Sequence, residues 1–313
     1  MPLVRRMVSF LGWLLLSLLG YVWLGYFTLR TESWQLIGLF AGLFGSYVWG
    51  VKQCASDRRW WPWALIASLA FRLALLGMTP NLSDDFYRFF WDGNLLATGQ
   101  NPYLILPSDH PDWLLFDQLN SPSYFTVYPP LHQVLTALGP WLFPGSLFEQ
   151  IVVLRLEIIL AETATIGLML RLLDRYGLPR TNVVLYALNP LVVVELTGNL
   201  HLEGTMLTLL LGAIFLLDKK CWLAAALSWG AAVAVKLVPL VFLPLLVRRM
   251  GWGRAVGFAA VVGMVNALLF APFSSWRLAG NVASSLDLYF QKFEFNASLY
   301  YLVRAAGYRL VGY

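Results

Sequence analysis

The chain has 313 residues, of which 59% are hydrophobic and only 12% charged, with a mean hydropathy of +0.65 and a formal net charge of +5. That balance excludes a water-soluble domain and predicts an all-α polytopic membrane protein. The basic residues stand at the ends of apolar runs and form no stripe with interleaved aromatics, which excludes a nucleic-acid partner; Cys54 and Cys221 are too few and too distant for a disulfide framework or a zinc ribbon.

Runs long enough to cross about 30 Å of hydrocarbon occupy 8–28, 34–51, 61–79, 147–170, 181–198, 201–217 and 255–271. The first is too long for the apolar core of a signal peptide and lacks a small-residue cleavage site, so it reads as a retained span. Placing the N-terminus inside collects most of the 22 basic residues in cytoplasmic segments, among them Arg5, Arg6, Arg58, Arg59, Arg175, Lys219 and Arg249. Residues 80–146 then form a long first extracytoplasmic loop, and the whole chain reads as one transmembrane domain.

Within that loop, "SDDFYRFFWDG" places Asp84, Asp85 and Asp92 within nine positions of a chain that has 17 acids in all. Helical spacing over 84–97 puts Asp85, Arg88, Phe89 and Asp92 on one face and Phe86, Phe90, Gly93 and Ala97 on another. The helix is expected along the membrane surface with its aromatic face in the interface, capped by Ser83. Adjacent carboxylates in so long a loop can cap the helix, supply a general base or ligate a divalent cation. Arg88 and Asp92 read as an intrahelical pair that orients the base.

Gly99 and Pro102 of "GQNPY" end the helix, and the prolines of "TVYPPLHQ" start another that lies at the outer interface or dips partly in. Arg155, Glu157 and Glu162 share the span 147–170 and read as buried pairing, with Arg155 neutralising an acid. "GNLHLEG" sets Asn199, His201 and Glu203 where two spans meet at the outer face. The run 221–247, flanked by basic clusters and too short for two crossings, predicts a broken hairpin entering from the cytoplasmic side. "VKLVP" lies near its tip, Pro239 bends it, and the tip should line a cavity. No span-length apolar run follows Phe270, so the chain reads as cut short at Tyr313.

Taken in order, "SDDFYRFFWDG", "TGQNPYLILP", "TVYPPLHQ", "ALNPLVVVELTGNLHLEGTMLTLLLG", "AVKLVPLVFLPLL" and "FEFNASLYYLVR" resemble the bacterial polyprenyl-phosphate-dependent mannosyltransferases of the GT-C membrane glycosyltransferase fold. The loop also resembles that of the GPI mannosyltransferase I catalytic subunit. There an acidic "DIDY" stands before "PY" at the interval separating Asp85 from "NPY", and "YTPL" replaces Tyr128 to Leu131. The second acid of "DIDY" falls on Asp85 and the first on Ser83, a departure from a two-carboxylate metal site.

The resemblance implies transfer of a mannosyl or similar hexosyl residue from a polyprenyl-phosphate-sugar donor to a glycan or glycolipid acceptor, on the extracytoplasmic face of a bacterial cytoplasmic membrane. It implies Asp85 as base, with Asp84 the alternative, and no obligatory metal or other cofactor. Candidate cations for the departing phosphate are Arg88, Lys236, Arg277, Lys292 and Arg304; Arg277 can instead anchor at the interface and Lys292 can pair with Glu294. Asn199, His201 and Glu203 would bind sugar or acceptor; Tyr128 and His132 would line the same cavity; Asp92 would support Arg88. The competing reading is a secondary transporter with an intramembrane pathway through Arg72, Arg155, Glu157 and Lys236, against which stands the absence of two related halves.

Overall fold

A computed structural model describes residues 3–291 and 298–312, and all regular structure among them is helical. Helices α1 (Leu3–Phe27) and α2 (Ser33–Ser56) pack as a hairpin. Ser17 and Ser46 meet between them at 2.5 Å, and Trp13 Nε1 donates to the Ser46 carbonyl at 2.9 Å. Their outward side chains, including Leu15, Leu16, Trp23 and Ile37, are exposed. Hydrocarbon carries no penalty for such a surface. Helix α3 (Trp61–Ala74) follows, with Pro62 in its first turn, where the missing N–H is not needed.

Helix α4 (Asp85–Ala97) begins one residue inside the predicted range, and Ser83 Oγ accepts from the Asp85 N–H at 3.3 Å. It ends as the sequence predicts. Gly99 takes φ +77° and the Gln100 N–H returns to the Leu95 carbonyl at 2.8 Å, satisfying the last turn. The aromatic face is not at an interface with lipid. Phe86, Phe89 and Phe90 are buried with Ile151, Leu154, Leu200, Leu202 and Val235, so that face forms protein core. Phe86 and Phe90 fall on a stripe that both a lipid and a protein neighbour would accept, and helical period alone does not distinguish the two.

Helix α5 (Pro130–Leu142) is short, as expected, and crosses α4 at Gly93, where a Cβ would stand 2.5 Å from the Thr136 carbonyl oxygen. At Gly139 a Cβ would stand 2.9 Å from Gln150 Cα, the close approach to helix α6 (Leu147–Arg175). The loop between α4 and α5 is strapped down by "NPY". Asn101 caps the Tyr103 N–H at 3.0 Å and donates to the Phe273 carbonyl at 3.0 Å; Tyr103 donates its hydroxyl to the Tyr128 carbonyl at 2.7 Å. Burial pushes the Tyr103 hydroxyl well above its usual range.

After α6 the chain breaks. A short turn leads into α7 (Val184–Ala187), and a π-helical segment (Val192–Gly198) continues at a bend of 58° from the preceding helical stretch. Pro190 withholds a donor at the bend, and Asn189 Oδ1 accepts the Leu191 N–H at 3.0 Å. Helices α8 (Glu203–Asp218) and α9 (Trp222–Val235) pack together. A short 3₁₀ turn and α10 (Leu245–Met250) lead to α11 (Trp252–Phe270), and α12 (Leu278–Gln291) and α13 (Ser298–Val311) follow.

Among the described residues, three helices are long and apolar enough to cross a membrane, at Arg6–Phe27, Ser33–Ser56 and Trp252–Phe273, or four if the bent pair is one span. The other runs read as spans are helical as well, but α3 and α8 have 14 and 16 residues and α6 carries charge inside. The broken hairpin is present. Lys236 at its tip meets Glu203 at one end of α8, and Arg249 on its return limb meets Asp218 at the other. Both limbs therefore cover the length of α8, roughly 24 Å at 1.5 Å per residue. Trp229 Nε1 holds the limbs together by donating to the Pro239 carbonyl at 3.1 Å.

Charge inside the bundle is matched differently from the sequence expectation. Glu162 pairs with Arg72, at 3.1 and 2.8 Å, and also accepts from Thr197 Oγ1 at 2.5 Å. Arg155 neutralises no acid among the described residues. It donates to four carbonyls, of Leu76, Met78, Thr197 and Gly198, at 2.6 to 3.0 Å. Those oxygens belong to the turn after α3 and the end of the π segment, where helices leave carbonyls unpaired and a cation is favoured. Glu157 takes no part, and its Oε2 has no partner among the described residues.

Candidate active site

The three acids of "SDDFYRFFWDG" meet three different surroundings. Asp84 is ion-paired with Arg30, which the α1–α2 connection delivers. Asp92 is buried and accepts from Arg88 Nε at 3.0 Å and from Gln133 Nε2 at 3.2 Å. Arg88 is buried as well, and its Nη1 donates to the carbonyls of Ser121 and Tyr124 at 3.0 and 2.8 Å. The intrahelical pair is thus real, but its bonds run to the crossing loop and not to Asp85. It pins residues 121–126 across α4.

Asp85 stands apart from both. Its side chain is 42% exposed, Oδ1 accepts from Asn120 Nδ2 at 2.6 Å, and Oδ2 lies 3.8 Å from His201 Nε2. A half-exposed carboxylate beside a histidine and free of any arginine can accept a proton and still be reached by a hydroxyl group.

His201 comes to this position through an unusual backbone. The π segment ends at Gly198, Leu200 takes φ +63°, and the His201 N–H reaches back to the Leu196 carbonyl at 3.1 Å. The same segment brings Glu195 under the ring, with Oε2 3.6 Å from His201 Nδ1 and accepting from buried Asn199 Nδ2 at 3.1 Å. Sequence reasoning missed Glu195, Asn120 and Arg30. Glu195 and Asn199 are four residues apart and polar within an apolar run, a signal that was available for the first of them.

Glu203 opens α8 and is ion-paired with Lys236 at the hairpin tip. His132 stacks on Tyr128 at 4.2 Å between ring centroids and touches Phe89 edge-on at 4.9 Å. It lies on α5, outside the spans, and burial pushes its pKa down to about 3, leaving a neutral imidazole. Polar atoms without a partner gather in this region among the described residues: Arg88 Nη2, His132 Nδ1, Asn199 Oδ1 and His201 Nε2. Lys292 lies outside the described residues.

The surroundings do not fit a resident metal ion. Asp84 and Asp85 are bonded to different partners, Arg30 and Asn120, and no group of three or more His, Cys, Asp or Glu among the described residues is arranged to hold one. Of the four residues of the transporter reading, Arg72 is paired with Glu162, Arg155 with backbone carbonyls and Lys236 with Glu203, while Glu157 Oε2 has no partner among the described residues.

Residues 3–252 match the family model for the N-terminal domain of alpha-(1->6)-mannopyranosyltransferases. Among curated proteins, the chain is 26% identical over 210 residues to alpha-(1->6)-mannopyranosyltransferase A of Mycobacterium tuberculosis. It is 23% identical over 193 residues to the protein of that name from Corynebacterium glutamicum. These matches take in 64% and 61% of this chain and 41% and 39% of the relatives, so the chain spans about two fifths of their length. No solved structure matches it.

Proposed function

The chain belongs to the alpha-(1->6)-mannopyranosyltransferase family, and on that premise we propose that it transfers a mannosyl residue from a polyprenyl-phosphate donor to a glycan or glycolipid acceptor at the extracytoplasmic face of the membrane, with Asp85 as the general base. The observation that carries this reading is the isolation of Asp85. Of the three acids in "SDDFYRFFWDG" it alone is free of an arginine among the described residues, since Arg30 neutralises Asp84 and Arg88 neutralises Asp92.

In the step, an acceptor hydroxyl oxygen bonds to the anomeric carbon while the bond from that carbon to the phosphate oxygen breaks. The electron pair leaves with the phosphate, and the hydroxyl proton passes to Asp85. The phosphate is already a good leaving group, so what remains is to hold the reactants in line and balance the charge that leaves. Lys236 serves the second need: it sits at the helix break beside the site, on the side of Glu203 and His201. Tyr128, partly exposed and stacked on buried His132, offers an aromatic ring of the kind a sugar ring packs on.

The test is transfer by the full chain in membranes, supplied with polyprenyl-phosphate mannose and mannoside acceptors. Asp85→Asn should lower kcat by about 10²-fold or more, the usual worth of a general base, and Asp84→Asn by only a few-fold. Full transfer by Asp85→Asn would remove the base assignment.

A further inference from the structure

We propose that Glu195 is a positioning residue for the Asp85 base, acting through His201. The inference rests on the reading of Asp85 above and adds to it a residue outside the acidic loop. Its geometry is a chain of four side chains: Asn199 Nδ2 donates to Glu195 Oε2 at 3.1 Å, the same Oε2 faces His201 Nδ1 at 3.6 Å, and His201 Nε2 faces Asp85 Oδ2 at 3.8 Å.

Both ring contacts lie just beyond hydrogen-bond length, the state usual for catalytic groups before substrate tightens them. Nε2 is buried and without a hydrogen-bond partner among the described residues, and it faces the Asp85 carboxylate. A carboxylate at Nδ1 selects the tautomer that carries its proton there, and so decides what Nε2 presents to Asp85. With Glu195 in place, Nδ1 donates to Glu195 and the Nε2 lone pair can take the proton that Asp85 receives from the acceptor hydroxyl. Asp85 is then returned to its anionic form without the proton leaving the site through water.

The backbone is built for this contact. An α-helical continuation would carry residue 195 a different distance around the axis from residue 201. The wider π turn and the left-handed Leu200 bring the carboxylate to within 3.6 Å of Nδ1. Strained non-glycine backbone of this kind persists where surrounding structure holds it and is common at functional sites. Asn199, buried and with its Nδ2 on Glu195, is what holds the carboxylate there.

The experiment is steady-state transfer by the full chain for Glu195→Ala, Glu195→Gln, His201→Asn, the double variant Glu195→Ala/His201→Asn, and Asp85→Asn, with kcat and KM determined separately for donor and acceptor. Glu195→Ala should lower kcat on the order of tenfold with KM for both substrates little changed. Glu195→Gln, which keeps an oxygen acceptor for Nδ1–H, should restore most of that loss. In the double variant the two losses should not add, because both act through one contact.

Additive losses, or a change in KM alone, would overturn the proposal while leaving Asp85 as base. If Glu195→Ala does not fold, a Glu195→Gln protein as impaired as His201→Asn overturns it by itself, and a Glu195→Gln protein near wild type beside an impaired His201→Asn supports it. Full transfer by Asp85→Asn would overturn the base reading and the role of Glu195 together, an outcome distinct from the others.

Discussion

Two clusters of charge lie within one chain and are satisfied to different degrees. Around Arg72, Glu162 and Arg155, deep in the bundle, every guanidinium nitrogen and both carboxylate oxygens have partners. Around Asp85, His201 and His132, carboxylates and an imidazole face each other at 3.6 to 3.8 Å and several polar atoms have no partner among the described residues. A buried unpaired polar atom costs about 1–3 kcal/mol, so a chain that completes the first cluster and leaves the second open is spending stability where a substrate can supply the missing bonds. The contrast separates Arg72 and Glu162, whose charges answer each other, from Asp85, whose charge no arginine answers among the described residues.

The largest effect that would sharpen this contrast is expected at Glu162. Glu162→Ala leaves Arg72 buried without its counter-charge and should cost on the order of 3–5 kcal/mol, seen as a marked fall in the thermal midpoint of the detergent-solubilised protein. Replacing Arg72 and Glu162 together by apolar residues of similar volume should recover much of it. If Glu162→Ala were as stable as wild type yet inactive, the two clusters would not differ in kind.

A smaller effect is expected at Gly93. Gly93→Ala places a Cβ against the Thr136 carbonyl, which is backbone and cannot swing aside. It should cost about 1–3 kcal/mol and, by prising α4 from α5, lower kcat through misplacement of Asp85. Unchanged kcat in a destabilised protein would mean that the α4–α5 crossing does not set the geometry of the site.

The most gradual effect, spread over several pH units, concerns His132. Its native pKa is depressed to about 3 by burial, while the unfolded chain takes a proton near 6.5. As pH falls below about 6.5 the unfolded state binds the proton first, so stability is lost progressively down to about pH 3, at up to about 1.4 kcal/mol per pH unit. His132→Phe should flatten the acid side of a melting-temperature profile between those limits. An identical acid slope in the variant would show that His132 is not the buried neutral group described.

Much of this was legible in the sequence. The acidic helix, its stop at Gly99, the short helix begun by the prolines and the broken hairpin with Lys236 near its tip all follow from period, caps and proline placement, which are local. The partners were not. Arg30 and Asp84 are 54 residues apart, Arg72 and Glu162 90, Asn120 and Asp85 35. Only the packing of helices decides such pairs, and it gave Arg155 carbonyls where an acid was expected. The π turn that delivers Glu195 lay hidden for a related reason, since "VVVELTG" reads equally well at the α period.

The most direct test of the claim that exposure and missing neutralisation, and not acidity alone, identify the base is a side-by-side measurement of mannosyl transfer by Asp84→Asn, Asp85→Asn and the wild-type chain at equal amounts of folded protein. The expected result is a loss of about 10²-fold or more for Asp85→Asn against a few-fold for Asp84→Asn. Equal losses, or a greater loss at Asp84, would contradict it.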